Sequence, residues 1–292
     1  MDWLREFAPQ IEANRPLAPL TWFELGGPAR YFFRPETFED LAAVVGRARE
    51  EGVPLKVLGE GANVLIGDDG FDGVVVRLTA PAFRKIDVQG TRVELGGGVE
   101  LMSAAKQLSA RGLTGLECMA GIPASVGGAV RMNAGGRFGE FGNVVREVTI
   151  LRPDGSLETW DRERIGFSYR RSRIGDAIVL SARLELAEDE PAACTRRYQE
   201  YTAYKTSTQP MGQKSAGCIF KNPPGESAGA IIDRAGLKGE RVGGASVSKQ
   251  HANFIVAGHD ARSIDVVRLV ERIRERVLRE HGKELEVEID IW

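Results

Sequence analysis

Apolar positions along this chain fall into two rhythms, one helical and one extended. Over residues 37–52 (TFEDLAAVVGRAREEG), Leu41, Val44, Val45 and Ala48 recur at the three-to-four-residue spacing that puts them on one helical face. Thr37 stands where an N-cap is wanted and Gly52 where a helix ends. The apolar runs 55–58 and 74–78 predict strands flanking a glycine-rich turn, GEGANVLIGDDGFDG, and the set reads as a small α/β layer. From about residue 80 short alternating strands take over (84–88 and 92–95), followed by a helix over 99–111. Residues 112–142 are dense in glycine; strands follow at 145–152 and 178–186, and the acidic 187–193 reads as a linker. Beyond it the pattern predicts a helix at 194–206, a strand at 253–257 and a long helix over 263–281 capped by Ser263 and ended by Gly282. An alternating terminal strand at 285–291 completes it, and the fold class is α+β.

A chain of 292 residues is too long for one small core and suits several subdomains, divided here as 1–79, 80–192 and 193–292. The formal net charge of −2 offers no electrostatic case for nucleic acid or an anionic membrane as partner. No apolar run approaches the ~18–20 residues that span a bilayer, and the first residues lack the pattern of a secretory leader. Three unevenly spaced cysteines (Cys118, Cys194, Cys218) without a CxxC pair argue for a reducing compartment, the cytoplasm, rather than a disulfide framework. The only histidines are His251, His259 and His281, and no His/Cys group has metal-ligand spacing.

Five segments carry candidate chemistry, each with a plainer alternative. Gly59-Glu60-Gly61-Ala62-Asn63 follows a strand, and its glycines allow successive amides to cradle an anion; alone the pattern is a weak signal, and a tight surface turn is the plainer reading. The run Gly121-Ile122-Pro123 to Gly136 keeps glycines that weaken regular structure, as expected of a backbone lying against something flat or charged, or of a flexible loop. Phe167-Ser168-Tyr169-Arg170-Arg171-Ser172 sets guanidinium groups beside aromatics, suited to a carboxylate or to solvent. Ser215-Ala-Gly-Cys-Ile-Phe-Lys-Asn-Pro-Pro-Gly225 places the Cys218 thiol beside Gly217 and ahead of Lys221 and Asn222; the thiol is a proton donor or an inert buried cysteine. In the terminal LEVEI run, Glu286 and Glu288 share a face that is either polar surface or functional.

Taken in order, these segments resemble the UDP-N-acetylenolpyruvoylglucosamine reductase family from about residue 21 to 288. The resemblance implies a two-subdomain FAD-binding region of the vanillyl-alcohol-oxidase type followed by a C-terminal α+β substrate-binding domain. It implies that Gly59, Gly61, Asn63 and Val64, with Gly127 and Gly128, hold the FAD pyrophosphate, and that Asn133 lies near the flavin. Residues 1–250 hold no histidine, so the expected FAD is non-covalent. NADPH is the implied co-substrate and a UDP-sugar, UDP-N-acetylglucosamine enolpyruvate, the implied substrate. Hydride from the flavin goes to C3 of the enol ether and a proton to C2. The family's catalytic arginine, proton donor and glutamate match Arg170, Cys218 and Glu288; Tyr169, Lys221, Asn222, Lys238 and His251 match substrate-binding positions. The implied protein is a monomeric cytoplasmic enzyme of peptidoglycan precursor synthesis.

This chain departs from the family at three places. Cys218 stands where serine is usual, Ala124-Ser125 where Gly-Thr or Gly-Ser is usual, and Thr208 where some members have lysine. The 48-residue interval from Arg170 to Cys218 resembles members without the tyrosine-bearing lid insertion. Two other functions compatible with parts of the pattern are a different FAD-dependent oxidase or dehydrogenase of this fold, and a flavin-binding protein without catalysis.

Overall fold

The computed structural model describes residues 2–8 and 10–292. They form two compact units. The first comprises Met1–Ala13, Tyr31–Glu60 and Asp72–Tyr204; the second comprises Asn14–Arg30, Gly61–Phe71 and Lys205–Trp292.

The first unit holds two cores, which share no single contiguous cluster. One gathers Phe33, Leu41, Val44, Val74, Val76 and Phe83 around helix α1 (Phe38–Glu50). Here the helical rhythm is realised as expected: Leu41, Val44, Val45 and Ala48 are buried, and the Thr37 hydroxyl accepts from Asp40 N at 3.1 Å. The strand Leu55–Val57 pairs in parallel with Phe71–Val76, Leu55 opposite Val74. The other core lies under helices α2 (Leu101–Ala110) and α3 (Val126–Met132) and includes Leu95, Leu101, Leu108, Val126, Val130 and Ile150. Its five-stranded sheet runs Leu157–Asp161, Val145–Leu151, Ile178–Glu185, Arg92–Gly96, Ile86–Gln89, each neighbour antiparallel. A one-turn helix α4 (Arg162–Ile165) and the long α5 (Pro191–Thr208) follow.

The second unit packs helices α6 (Ala228–Arg234) and α7 (Ser263–His281) with a three-stranded sheet, Arg241–Val242, Ala245–Val247 and Ile255–Ala257. Ile231, Ile232, Val247, Ile255, Val266, Leu269, Val270, Ile273 and Val277 form its core, with Phe220 and Leu285 from the connecting segments. Residues 61–71 belong to this unit, which contiguous division at residue 79 did not anticipate. The reason is pairing: Val64–Leu65 lies parallel to Asp290–Ile291, and the Ser263 hydroxyl donates to Ile66 O at 2.6 Å.

Four local expectations change. The glycine-dense 112–142 contains α3, because Ser125 caps it and its two glycines occupy only the first turn. The acidic 187–193 is a two-residue strand, Ala187–Glu188, running into α5 rather than a linker. The N-cap of α7 falls on Arg262; the Asp68 carboxylate accepts from Ser263 N (2.9 Å) and Ile264 N (3.4 Å), supplying the capping oxygen from a distant loop. The terminal strand shortens to Asp290–Ile291 with an isolated bridge at Val287.

Candidate active-site residues

In the first unit, Gly59 and the start of α3 meet at van der Waals limits. A Cβ on Gly59 would stand 2.5 Å from Ser125 Oγ, so any larger residue there must displace that hydroxyl. Ser125 Oγ meanwhile accepts from Gly128 N at 3.2 Å, capping α3. Gly59 of the turn after residue 58 and Ser125 of the run after 121 are therefore brought together by the fold. Leu58 N donates to Val76 O, but the amides of Gly59 and Glu60 donate to no backbone carbonyl among the described residues. Amides left open beside a side-chain-free backbone are what a pyrophosphate requires, so these residues fit the group.

Gly127 and Gly128 contribute differently from the expectation. Val126 N donates to Val99 O (2.9 Å), Gly127 N to Gly97 O (2.8 Å) and Gly128 N to Ser125 Oγ, so the first-turn amides of α3 are already taken. What Gly127 provides is room, since its Cβ would stand 3.2 Å from Gly97 O. Asn133 is also different. It is 2 % exposed, and its carboxamide donates to Glu140 Oε2 (2.8 Å) and to Ser168 O (3.0 Å) while accepting from Gly142 N (2.9 Å). That side chain is committed to the protein itself.

Tyr169 and Arg170 form the tip of a tight turn. Ser168 N donates to Arg171 O (2.9 Å) and Arg171 N to Ser168 O (3.1 Å). Arg170 takes φ +54°, a left-handed conformation rare for a side chain of this size. Its guanidinium lies 5.1 Å from the ring centre of Tyr169, which is 45 % exposed. The sequence indicated a guanidinium beside an aromatic; the left-handed backbone could not be read from it.

In the second unit, the segment 217–221 runs between two partners. Gly217 has φ +75°, then Cys218 bridges Phe254 and Phe220 bridges Val287, both antiparallel. Ile219 N donates to Asn253 O (2.8 Å), Glu288 N to Ile219 O (2.8 Å) and Lys221 N to Glu286 O (2.9 Å). Beyond Glu288 the ladder continues, Asp290 N donating to Asn63 O (3.0 Å) and Asn63 Nδ2 to Glu288 O (3.3 Å). Cys218, Glu288 and Asn63 thus sit on three successive neighbouring segments, although they are separated by 155 and 70 positions in sequence. Cys218 is half-buried and forms no disulfide. Gly61 has φ +68°, and a Cβ there would stand 2.2 Å from Leu20 O. Val64 is buried.

The remaining expected residues are less concentrated. Lys221 pairs with Glu286 at 2.6 Å on one face, confirming that Glu286 points away from the core. Asn222 Oδ1 accepts from Ala228 N (2.9 Å), tying the double-proline stop to α6. Lys238 pairs with Asp233 at 2.7 Å. His251 Nδ1 accepts from Asn253 N (3.3 Å); burial, and secondarily the Lys238 charge, hold its imidazole below its ordinary pKa. Sequence reasoning missed Asn253 as a partner of the thiol segment. It is 2 % exposed, accepts from Phe220 N at 3.0 Å and donates to Phe220 O at 2.8 Å. A lone asparagine before an apolar strand carries no signal for that.

Comparison with known proteins covers nearly the whole chain. Residues 209–292 match the family described as UDP-N-acetylenolpyruvoylglucosamine reductase, C-terminal domain, and residues 29–161 match the family described as FAD binding domain. UDP-N-acetylenolpyruvoylglucosamine reductase 2 of Symbiobacterium thermophilum is 41% identical over 285 residues, 97% of this chain and 92% of that protein. The enzyme of Moorella thermoacetica is 41% identical over 284 residues, 97% of this chain and 93% of its own. Among solved structures, UDP-N-acetylenolpyruvylglucosamine reductase (MurB) from Thermus caldophilus superposes with a TM-score of 0.83 at 41% identity, covering 97% of this chain and 98% of that one. A solvent-stable cholesterol oxidase shares the fold alone, with a TM-score of 0.50 at 16% identity over 62% of this chain and 39% of that one.

Proposed function

The chain belongs to the UDP-N-acetylenolpyruvoylglucosamine reductase family, FAD-dependent and NADPH-linked oxidoreductases, and we propose that Arg170, Cys218 and Glu288 carry its chemistry on UDP-N-acetylglucosamine enolpyruvate. FAD, when bound, supplies the hydride that it has taken from NADPH, and C3 of the enol ether receives it. Gly59, Gly61, Asn63 and Val64 hold the cofactor's pyrophosphate, with Gly127 and Gly128 keeping the neighbouring backbone close. Arg170 meets the enolpyruvyl carboxylate with two parallel hydrogen bonds and stabilises the negative charge that develops there. Cys218 gives its proton to C2, and the resulting thiolate regains one from solvent. Glu288 assists Arg170 at the reacting group. Tyr169, Lys221, Asn222, Lys238 and His251 bind the sugar nucleotide, the two lysines favouring its diphosphate by charge.

The observation that supports this most is the shared ladder of the second unit, in which the segments of Cys218 and Glu288 are hydrogen-bonded neighbours through Glu288 N and Ile219 O. Two residues remote in sequence and each matching a catalytic position are adjacent in the backbone. Cys118, Cys194 and Cys218 form no disulfide, which agrees with work in a reducing cytoplasm. Among the described residues no helix is long and apolar enough to cross a membrane.

Anaerobic mixing tests the reading. NADPH should bleach the flavin absorbance of the purified protein, and the enolpyruvyl sugar nucleotide should restore it without oxygen. Reoxidation by oxygen but not by that substrate would favour an oxidase of the same fold.

A further inference from the structure

We propose that Asn133 is the positioning residue for Arg170, acting through the turn that carries it; this rests on the reading of Arg170 as the group that meets the substrate carboxylate. The turn 168–171 holds Arg170 in a left-handed backbone conformation (φ +54°), which a long side chain adopts only when its surroundings impose it. Those surroundings come from the end of α3. Asn133 Nδ2 donates to Ser168 O at 3.0 Å, gripping the first limb of the turn, and the Ser172 hydroxyl donates to Arg131 O at 2.9 Å, gripping the second. One helix end therefore clamps the turn on both sides.

Asparagine is suited to this place for separate physical reasons. Its own φ is +42°, a region that asparagine tolerates better than most residues and that ends α3. At 2 % exposure every polar atom needs a partner, and the carboxamide has them: donors to Glu140 Oε2 and Ser168 O, and an acceptor for Gly142 N. Even the space is shaped for it, since a Cβ on Gly142 would stand 2.7 Å from Asn133 Oδ1. Aspartate has the same shape but cannot donate to Ser168 O. A displacement of the guanidinium by about an ångström is enough to lose much of an oriented contact.

The test uses holoenzyme and two nucleotides, UDP-N-acetylmuramate, which carries a carboxylate, and UDP-N-acetylglucosamine, which lacks one. Calorimetry gives the ratio of their affinities, a readout of Arg170 rather than of general stability. Asn133→Asp combined with Glu140→Gln avoids two adjacent carboxylates. In that variant the ratio should fall about tenfold, the scale of one hydrogen bond to a charged group, while FAD content and the flavin spectrum stay as in the parent. Ser172→Ala should lower the ratio about threefold by releasing the other limb, and it decides the matter if the first variant does not fold. Arg170→Ala should abolish the ratio. An unchanged ratio in the Asn133 variant, or in Ser172→Ala, beside a lost one in Arg170→Ala overturns the positioning role. Loss of FAD from the Asn133 variant overturns it too, by assigning the amide to the cofactor. A ratio that survives Arg170→Ala instead refutes the role given to Arg170.

Discussion

The side-chain amide of Asn253 makes both hydrogen bonds that a neighbouring strand would make to Phe220, accepting from its N–H at 3.0 Å and donating to its carbonyl at 2.8 Å. Both residues are buried, so no water replaces a lost partner. Asn253→Ala leaves two backbone groups unsatisfied and should cost about 2–4 kcal/mol of stability. Asn253→Asp keeps the acceptor but turns a buried carboxylate oxygen toward the Phe220 carbonyl, so it should cost at least as much. Urea unfolding followed by circular dichroism measures both. A loss under ~0.5 kcal/mol in the alanine variant would show that the segment 217–221 does not depend on this amide.

Gly59 and Ser125 form a second pair whose contact is a matter of space. Because a Cβ on Gly59 would stand 2.5 Å from Ser125 Oγ, Gly59→Ala should displace the start of α3 and weaken FAD retention. Adding Ser125→Gly removes the obstructing oxygen and, glycine being a tolerable N-cap, costs only a few tenths of a kcal/mol of its own. The double variant should therefore retain more FAD than Gly59→Ala alone. Flavin content per chain after gel filtration decides it, and equal loss in both would mean that the alanine methyl, rather than the clash, disturbs the site.

Cys218 is the proposed proton donor, and a hydroxyl can do the same work. Reoxidation of reduced enzyme by the enolpyruvyl nucleotide in a single turnover should slow about 100-fold or more in Cys218→Ala, the usual scale of general acid catalysis. Cys218→Ser should slow it only mildly. Hydrogen peroxide pretreatment should inactivate the parent more than the serine variant, because only the thiol is oxidised. Rates in Cys218→Ala that match the parent would remove this residue from the mechanism.

His251 ties stability to pH. Burial first, and the Lys238 charge second, keep its imidazole below the ordinary 6.5, and Nδ1 accepts from Asn253 N, which protonation at that atom would abolish. The folded protein then binds fewer protons here than the unfolded chain between the two pKa values. This contribution is complete above the ordinary pKa and is lost as pH falls through it toward the folded value. Unfolding free energy should thus decline, as pH falls through the ordinary 6.5, more steeply in the parent than in His251→Gln, which has no such proton to gain. Parallel declines in denaturant titrations would show that His251 protonates alike in both states.

The legible part of the fold is the part built from local rhythm. Leu41, Val44, Val45 and Ala48 announce α1, and Thr37 caps it as read. The glycine segments were legible as candidates because glycine has few purposes, and Gly59 and Gly61 indeed stand where any Cβ would collide. By contrast α3 was hidden, since its two glycines lower helical propensity and its support comes from the Ser125 cap, the Gly127 N–Gly97 O hydrogen bond and the burial of Val126, Ala129 and Val130. The resemblance singles out Asn133 as lying near the flavin, while its side chain donates to Ser168 O in the turn that carries Arg170.

Sequence by itself determined much of the cast of this protein: the helices α1, α2, α5 and α7, the glycine turns, the thiol at residue 218 and the resemblance that names the reaction. It could do so because periodicity, capping and glycine usage act over a few residues and leave a local trace. Tertiary structure decided which members meet. That Glu288 N donates to Ile219 O, that Asn63 flanks Glu288, that Asn253 completes Phe220 and that Asn133 holds Ser168 all depend on pairings between distant segments. Such pairings follow from burying apolar faces and satisfying every buried polar group at once, a condition on the whole chain that no short stretch contains.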